Sequence, residues 1–298
     1  MTTEIRYNPD GAQARYEENL SKKGSKAKLE LDERQCRYIR DLIVDLKYSP
    51  EACLLEIRAN KSLAFDKEIK SVNTIYRAIR KGLISDVTMK VLPRRGTFSI
   101  KKEHVAVQKR ATAGTSIEKR PDEVFLRETF GHWEMDCVIG QRHNKKAMLV
   151  MTERKTRTEI IELLRGKTAQ EVVRALNRIE KRYKSDFYKI FKSITVDNGS
   201  EFSDFEGMES ALNRVGKRTS VFYCHPRSPQ ERGSNEVQNQ LIRRWYPKGS
   251  DFDQLLNRTD VKDLEWWINT YPRRMFSGDN FQERFNAELI KLGCRLPA

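Results

Sequence analysis

The chemistry-bearing stretch runs PRSPQERGSNEVQNQLIRRWYPKG, from Pro226 to Gly249. Pro226, Ser228, Pro229 and Gly233 break regular structure. A helix is predicted from about Ser234, with Ser234 or Asn235 as its N-cap. Leu241, Ile242 and Trp245 then form an apolar face at helical spacing, and Lys248-Gly249 after Pro247 ends the run. Glu236 falls in the first turn, with Arg232 four residues before it and Arg243 seven after. A carboxylate at the mouth of a helix, with cations one and two turns away, suits a group that holds a metal ion beside a phosphate. The same carboxylate could simply offset the helix dipole.

Two further acids stand on elements able to bring them to Glu236. Asp136 lies inside the β-rich run Trp133 to Ile139, where a carboxylate is costly unless it binds something. Asp197 follows the short apolar strand Ile194 to Val196, at the turn Asp197-Asn198-Gly199. The connecting elements follow from periodicity. Ala147 to Glu153 and Thr158 to Leu164 read as strands, completing a three-strand meander. Thr168 to about Lys184 reads as an amphipathic helix, with Thr168 and Glu171 at capping-box spacing. Asp204 to Val215 reads as a helix and Thr219 to Tyr223 as a strand. The order is therefore β-β-β-α-β-α-β-α, an α/β unit. Asp136 sits on the first strand, Asp197 at the end of the fourth, and Glu236 at the head of the last helix. Three acids converging at one sheet edge could hold two divalent cations, and oxygen-only ligands favour Mg²⁺ or Mn²⁺ over zinc.

Composition points to a polyanionic partner. The 298 residues carry a net charge of +15, which in a protein of this size usually meets nucleic acid. Five cysteines are scattered without a CxxC pair, arguing for a reducing compartment and against a zinc or disulfide framework. No apolar run approaches a membrane span, and MTTEIRYNPDG has no secretory character.

Ahead of the α/β unit, residues 1–92 read as helical. Residues 12–30 suggest a short helix and a basic linker. Helices then open near Asp32, at Ser49-Pro50 and near Ser71. The last carries Val72, Ile75, Tyr76 and Ile79 on one side and Asn73, Arg77, Arg80 and Lys81 on the other. That pattern fits a helix-turn-helix whose last helix enters the major groove, or a small bundle with a solvated basic face. Residues 93–127 read as a basic linker able to follow phosphates, leaving the α/β unit at 128–298.

The words RPDEVFLRETFGHWEMDCVIG, TVDNGSEF, YCHPRSPQERGSNEVQNQLIRRWYPKGSDF and INTYPRRMFSGDNFQERFNAEL resemble the ribonuclease-H-like DDE transposases and integrases. Within these they resemble the transposase family of insertion sequence thirty, as do SPEACLLEIR and SVNTIYRAIRKGL in the helical region. The resemblance implies a ribonuclease-H-like mixed sheet flanked by helices, preceded by a small all-α helix-turn-helix domain. It makes Asp136, Asp197 and Glu236 the metal-binding catalytic triad, with two Mg²⁺ ions for which Mn²⁺ can substitute. Arg232 and Arg243 match basic positions that flank the glutamate in many DDE enzymes, and Lys248 is a candidate phosphate contact. The implied activity is cleavage of insertion-element ends and joining of the 3′-OH to target DNA. The implied partners are double-stranded DNA, as terminal inverted repeats and target, and further copies of the chain, in the bacterial cytoplasm at the nucleoid. A silent or truncated DNA-binding regulator is the alternative, and a nuclease on RNA–DNA hybrids a third reading.

This sequence departs from the family in three places. Pro229 stands where some of these enzymes carry a tyrosine. The span between Asp197 and Glu236 is longer. The family implies a further helix-turn-helix ahead of the segment near Tyr7. Around the triad, His132, His225, Trp133, Trp245, Trp266 and Trp267 are expected to be structural and Glu201 a solvated acid. Asn198 and Asn235 are expected to orient the acids or touch DNA.

Overall fold

The computed structural model describes residues 8–22, 31–60, 62–63, 65, 67–93, 114–226, 228, 231, 233–276 and 279–296. The side chains at 20–22, 234, 236 and 276 lie outside that description. Four helices come first: α1 (Pro9–Lys22), α2 (Glu33–Val44), α3 (Pro50–Ala59) and α4 (Val72–Arg80). The last three begin where side-chain oxygens can accept the orphan N–H groups of a first turn. Asp32 forms a capping box with Gln35, Ser49 caps α3 with Pro50 at its head, and Ser71 caps α4. Ile39, Ile43, Ala52, Cys53, Ile75 and Ala78 close the core between them.

Within the stretch read as linker, residues 114–127 supply the short strand β1 (Thr115–Ser116) and α5 (Glu123–Leu126). Then follow β2 (His132–Ile139), β3 (Ala147–Glu153), β4 (Glu159–Leu164), α6 (Ala169–Tyr183), α7 (Phe187–Ile190) and β5 (Ser193–Val196). The chain continues through α8 (Phe205–Glu209), β6 (Ser220–Tyr223), α9 (Gly233–Trp245), α10 (Phe252–Leu255), α11 (Arg258–Thr270) and α12 (Phe281–Lys291). The six strands form one mixed sheet in the order β1-β6-β5-β2-β3-β4. The meander β2-β3-β4 is antiparallel, while β5 and β6 join parallel. This is the expected ribonuclease-H-like arrangement behind a helical N-terminal region.

Alternation along β2 decides what each face meets. Trp133 and Met135 join Leu176, Ile179, Phe191 and Ile194 on the α6 side, where Trp133 stacks on Phe191 at 4.7 Å. Val138, with Val150 and Ile161, faces Leu241, Ile242 and Trp267 of α9 and α11. The N-terminal helices continue that second core. Tyr48 meets the Tyr271 ring edge-on at 5.0 Å, and the Trp267 indole donates to the Leu46 carbonyl at 2.8 Å. The helical region is thereby packed onto the α9–α11 layer.

Three local expectations are corrected. The helix read over Asp204 to Val215 ends at Glu209. The guanidinium of Arg218, which is 2% exposed, takes the carbonyls of Gly207 and Met208 that a longer helix would use, and Ser210 bridges to Lys217. The Glu171 carboxylate accepts from Arg165 N and pairs with Arg174 rather than closing a capping box. Trp266, expected in the core, is 67% exposed on α11.

Candidate active site

The parallel pairing of β2 with β5 sets the geometry of the site. His132 pairs with Ser193, Trp133 with Ile194 and Glu134 with Thr195. Two residues further in that register, Asp136 comes level with Asp197, at the edge where β5 ends. Each carboxylate is half-buried and held by a local amide. Asp136 Oδ1 accepts from Cys137 N at 2.9 Å, and Asp197 Oδ1 from Gly199 N at 2.9 Å. Gly199 suits that turn because a Cβ there would lie 2.6 Å from the Glu201 carboxylate.

Two of the bonds that tie helix α9 across this face bracket position 236. Asn235 N donates to Glu134 Oε2 at 3.1 Å, and Asn239 Nδ2 donates to Asp136 Oδ2 at 2.9 Å. Two residues of strand span roughly 6.6 Å and four of helix roughly 6 Å, so the two bonds match with the helix laid alongside β2. Position 236 lies between them on the helix backbone. The Glu236 side chain and all of Arg232 lie outside the described residues.

A groove of about 820 Å³ opens beside Asp136, between α9 and the N-terminal helices. Lys47, Arg243, Arg244 and Lys248 line it together with Asp136 and Asn239. Arg243 donates to the Ile139 carbonyl at 2.9 Å, and burial pushes its guanidinium down. Lys248 is exposed. Of the basic residues singled out from the sequence, Arg243 and Lys248 thus line the same groove as Asp136. Asn73, Arg77, Arg80 and Lys81 are all exposed, on α4 and its C-cap, and none lines the groove.

Several neighbours depart from expectation or were not singled out. Glu201, expected to be solvated, is 4% exposed and pairs with Lys167 at 3.0 Å. Burial pushes the Cys137 thiol well up, and Glu201 and Asp136 add to the rise. His132 is structural as expected: its ring bonds Ser193 Oγ at 2.7 Å, and burial lowers its pKa to about 4. His225 is bonded to Glu231 and Glu118, which raise its pKa. The Asn198 amide donates to the Cys224 carbonyl at 2.8 Å, tying the exit of β5 to that of β6. Sequence reasoning passed over Glu134 and Asn239. Their signals are positional: Glu134 shares the face of Asp136 at i−2, and Asn239 shares the helix side of Glu236 at i+3.

The donors around this edge suit a hard divalent cation. Asp136 and Asp197 offer carboxylate oxygens; among the described residues Oδ1 of Asn198 and Asn239 and both side-chain amide atoms of Asn235 are buried without a hydrogen-bond partner. Carboxylate and amide oxygens are the ligand types that Mg²⁺ and Mn²⁺ accept. Among the described residues no set of three or more His, Cys, Asp or Glu side chains is arranged to hold a metal. The side chain of Glu236, the third acid of the expected triad, lies outside that description. No helix among the described residues is long and apolar enough to cross a membrane.

Known proteins share this sequence over most of its length. It is 34% identical over 221 residues to a probable transposase for insertion-like sequence element IS1161 of Streptococcus salivarius, covering 74% of this chain and 60% of that protein. It is 32% identical over 238 residues to the transposase InsI for insertion sequence element IS30A of Escherichia coli (strain K12), covering 78% and 59%. Against the transposase for insertion sequence element IS1086 of Cupriavidus metallidurans the identity is 30% over 283 residues, covering 90% and 77%. The chain thus spans about three fifths of the first two relatives. No family model matches it. Identity at this level to the IS1161, IS30A and IS1086 transposases, over more than three quarters of the last, and on the expected fold, places the chain in the IS30 family of transposases.

Proposed function

We propose that this chain is a DNA transposase that frees a 3′-OH at the ends of an insertion element and joins it to target DNA. Asp136, Asp197 and Glu236 would hold two Mg²⁺ ions. When bound, such a pair supplies Lewis-acid stabilisation and an activated water for in-line phosphoryl transfer. The observation that carries the reading is the level register of Asp136 and Asp197 beside a helix bonded to Asp136, with Asp136 on the wall of a cation-lined groove.

The chain's own residues would do the rest. Asn239 keeps the Asp136 carboxylate turned toward α9, and Gly199 N holds that of Asp197. Lys248 and Lys47 would neutralise the phosphates entering the groove, and Arg232 and Arg243 would flank Glu236. In the first transfer water attacks phosphorus and the bond to the 3′ oxygen breaks. In the second, that 3′-OH attacks a target phosphodiester, and the new bond to phosphorus forms as the bond to the target's own 3′ oxygen breaks, leaving a target 3′-OH. Neither step needs a covalent protein–DNA intermediate. The exposed side of α4, with Asn73, Arg77, Arg80 and Lys81, would read duplex DNA in the major groove. Two ends must be paired, so the chain would act as a homo-oligomer on DNA, at the nucleoid.

The test is cleavage and strand transfer on the element's own end, with Mg²⁺ and with EDTA, for wild type, Asp136→Asn and Glu236→Gln. Metal-dependent products lost in both variants, with end binding retained, are expected. Full activity in Asp136→Asn would refute the reading. Binding by wild type without products would instead identify a DNA-binding regulator.

A further inference from the structure

Glu134 belongs to neither the expected triad nor the groove, yet it is fully buried on the strand face that carries Asp136. Its two oxygens have different partners. Oε1 pairs with the guanidinium of Arg154, which is itself 3% exposed. Oε2 accepts the backbone N–H of Asn235 at 3.1 Å. Asn235 is the third residue of α9, so its N–H has no acceptor within the helix. A buried orphan donor must find a partner, and a carboxylate at a helix N-terminus is also favoured by the dipole. Arg154 is fixed in turn. It follows β3, its Nε donates to the Val124 carbonyl at 3.2 Å, and its backbone N–H donates to the His132 carbonyl at 2.8 Å. Next to it, Arg120 donates to Oγ1 of Thr195, the residue paired with Glu134, at 3.0 Å. The start of α9 is therefore bonded, through one carboxylate, to a buried polar cluster joining β2, β5, the β3–β4 turn and residues 120–124.

We propose that Glu134 is a positioning residue: it sets where α9 begins, and hence where position 236 stands relative to Asp136 and Asp197. This rests on the triad reading for its catalytic consequence, while the positioning itself concerns only α9. Asn239 and Glu134 then act as two anchors of one helix, on either side of position 236. Loss of the Glu134 anchor leaves the helix bonded through Gln238, Asn239 and Arg243, all beyond position 236, with its first turn released.

The test uses the full chain. Glu134→Gln offers one oxygen to two donors and turns an amide N–H₂ on the other. Glu134→Leu combined with Arg154→Met removes both buried charges together, which buried pairs tolerate far better than loss of one partner. Hydrogen exchange on the peptide spanning residues 233–241 and steady-state cleavage of an end-bearing duplex are measured in each. We expect exchange in that peptide to quicken about tenfold or more, with the peptides of β2 and β3 unchanged. We expect kcat to fall roughly 10- to 100-fold, the range for residues that orient a metal site's ligands, with KM for DNA unchanged. Unchanged exchange in both variants overturns the proposal, as does quickened exchange with wild-type kcat, or a loss confined to KM. If wild type itself cleaves nothing, the transposase reading fails, and the exchange result alone judges the anchor.

Discussion

The bond from Asn239 to Asp136 is the most informative single interaction to break. Asn239 Nδ2 lies 2.9 Å from Asp136 Oδ2, and a hydrogen bond to an ionised group contributes about 1.5–3 kcal/mol. If that orientation is needed in the transition state, Asn239→Ala should slow cleavage between about 10- and 100-fold, at about 1.36 kcal/mol per tenfold. Asn239→Asp is the harsher perturbation. It removes the donor and sets a second carboxylate at the same distance. Two unit charges that close repel by about 6 kcal/mol at an effective dielectric constant near 20, an upper bound that the pair relieves by sharing a proton or moving apart. The Asp variant should therefore be slower than the Ala variant at neutral pH and recover part of its activity as pH rises. The assay is single-turnover cleavage of an end-bearing duplex between pH 6 and 9, with melting temperatures to show that both variants fold. Wild-type rates in both variants across that range would refute the reasoning, because Asp136 would then need neither its orientation nor its charge environment.

Other predictions come from groups away from the acids. His132 is buried, and burial depresses its pKa to about 4 from an ordinary 6.5. Below pH 6.5 the unfolded chain takes up a proton that the folded chain refuses. Stability should thus fall between pH 6.5 and 4, by up to about 3 kcal/mol in all. Urea unfolding of wild type and His132→Gln at pH 7 and 5 should show the slope in wild type alone. Arg218 and Glu180 form an ion pair with neither side chain exposed. Arg218→Met should cost about 3–5 kcal/mol by stranding the glutamate, with much of that recovered when Glu180→Leu is added, as read by denaturant midpoints. Neutralising Arg77, Arg80 and Lys81 together should weaken DNA binding and lower the salt dependence of log K by about one for each phosphate left without its cation. Metal-dependent nicking of non-specific duplex should stay intact.

The sequence by itself determined whatever depends on neighbours within a turn or two. The strand of Ala147 to Glu153 has the predicted bounds, and Thr168, Ser49 and Ser71 cap the helices that follow them, because a cap needs only an oxygen beside the next N–H groups. Hydrophobic spacing likewise put Asp136 on the strand that is β2, Asp197 after β5 and Glu236 on α9, and left the polar side of α4 to solvent, though it did not reveal β1. Tertiary structure decided what depends on partners far along the chain. Asp136 and Asp197 are level only because β2 and β5 pair parallel in one register, and a slip of one residue would turn one of them to the opposite face. Hydropathy reads Glu134, Arg154, Glu201 and Arg218 as surface residues; pairing lets the fold bury them. Arg218 also shows why one helix boundary was illegible: the carbonyls that end α8 are taken by a side chain beyond it, held in place by Glu180 of α6. Local propensity carries no information about such long-range partners, and they are what bring Asp136 level with Asp197 and lay α9 against them.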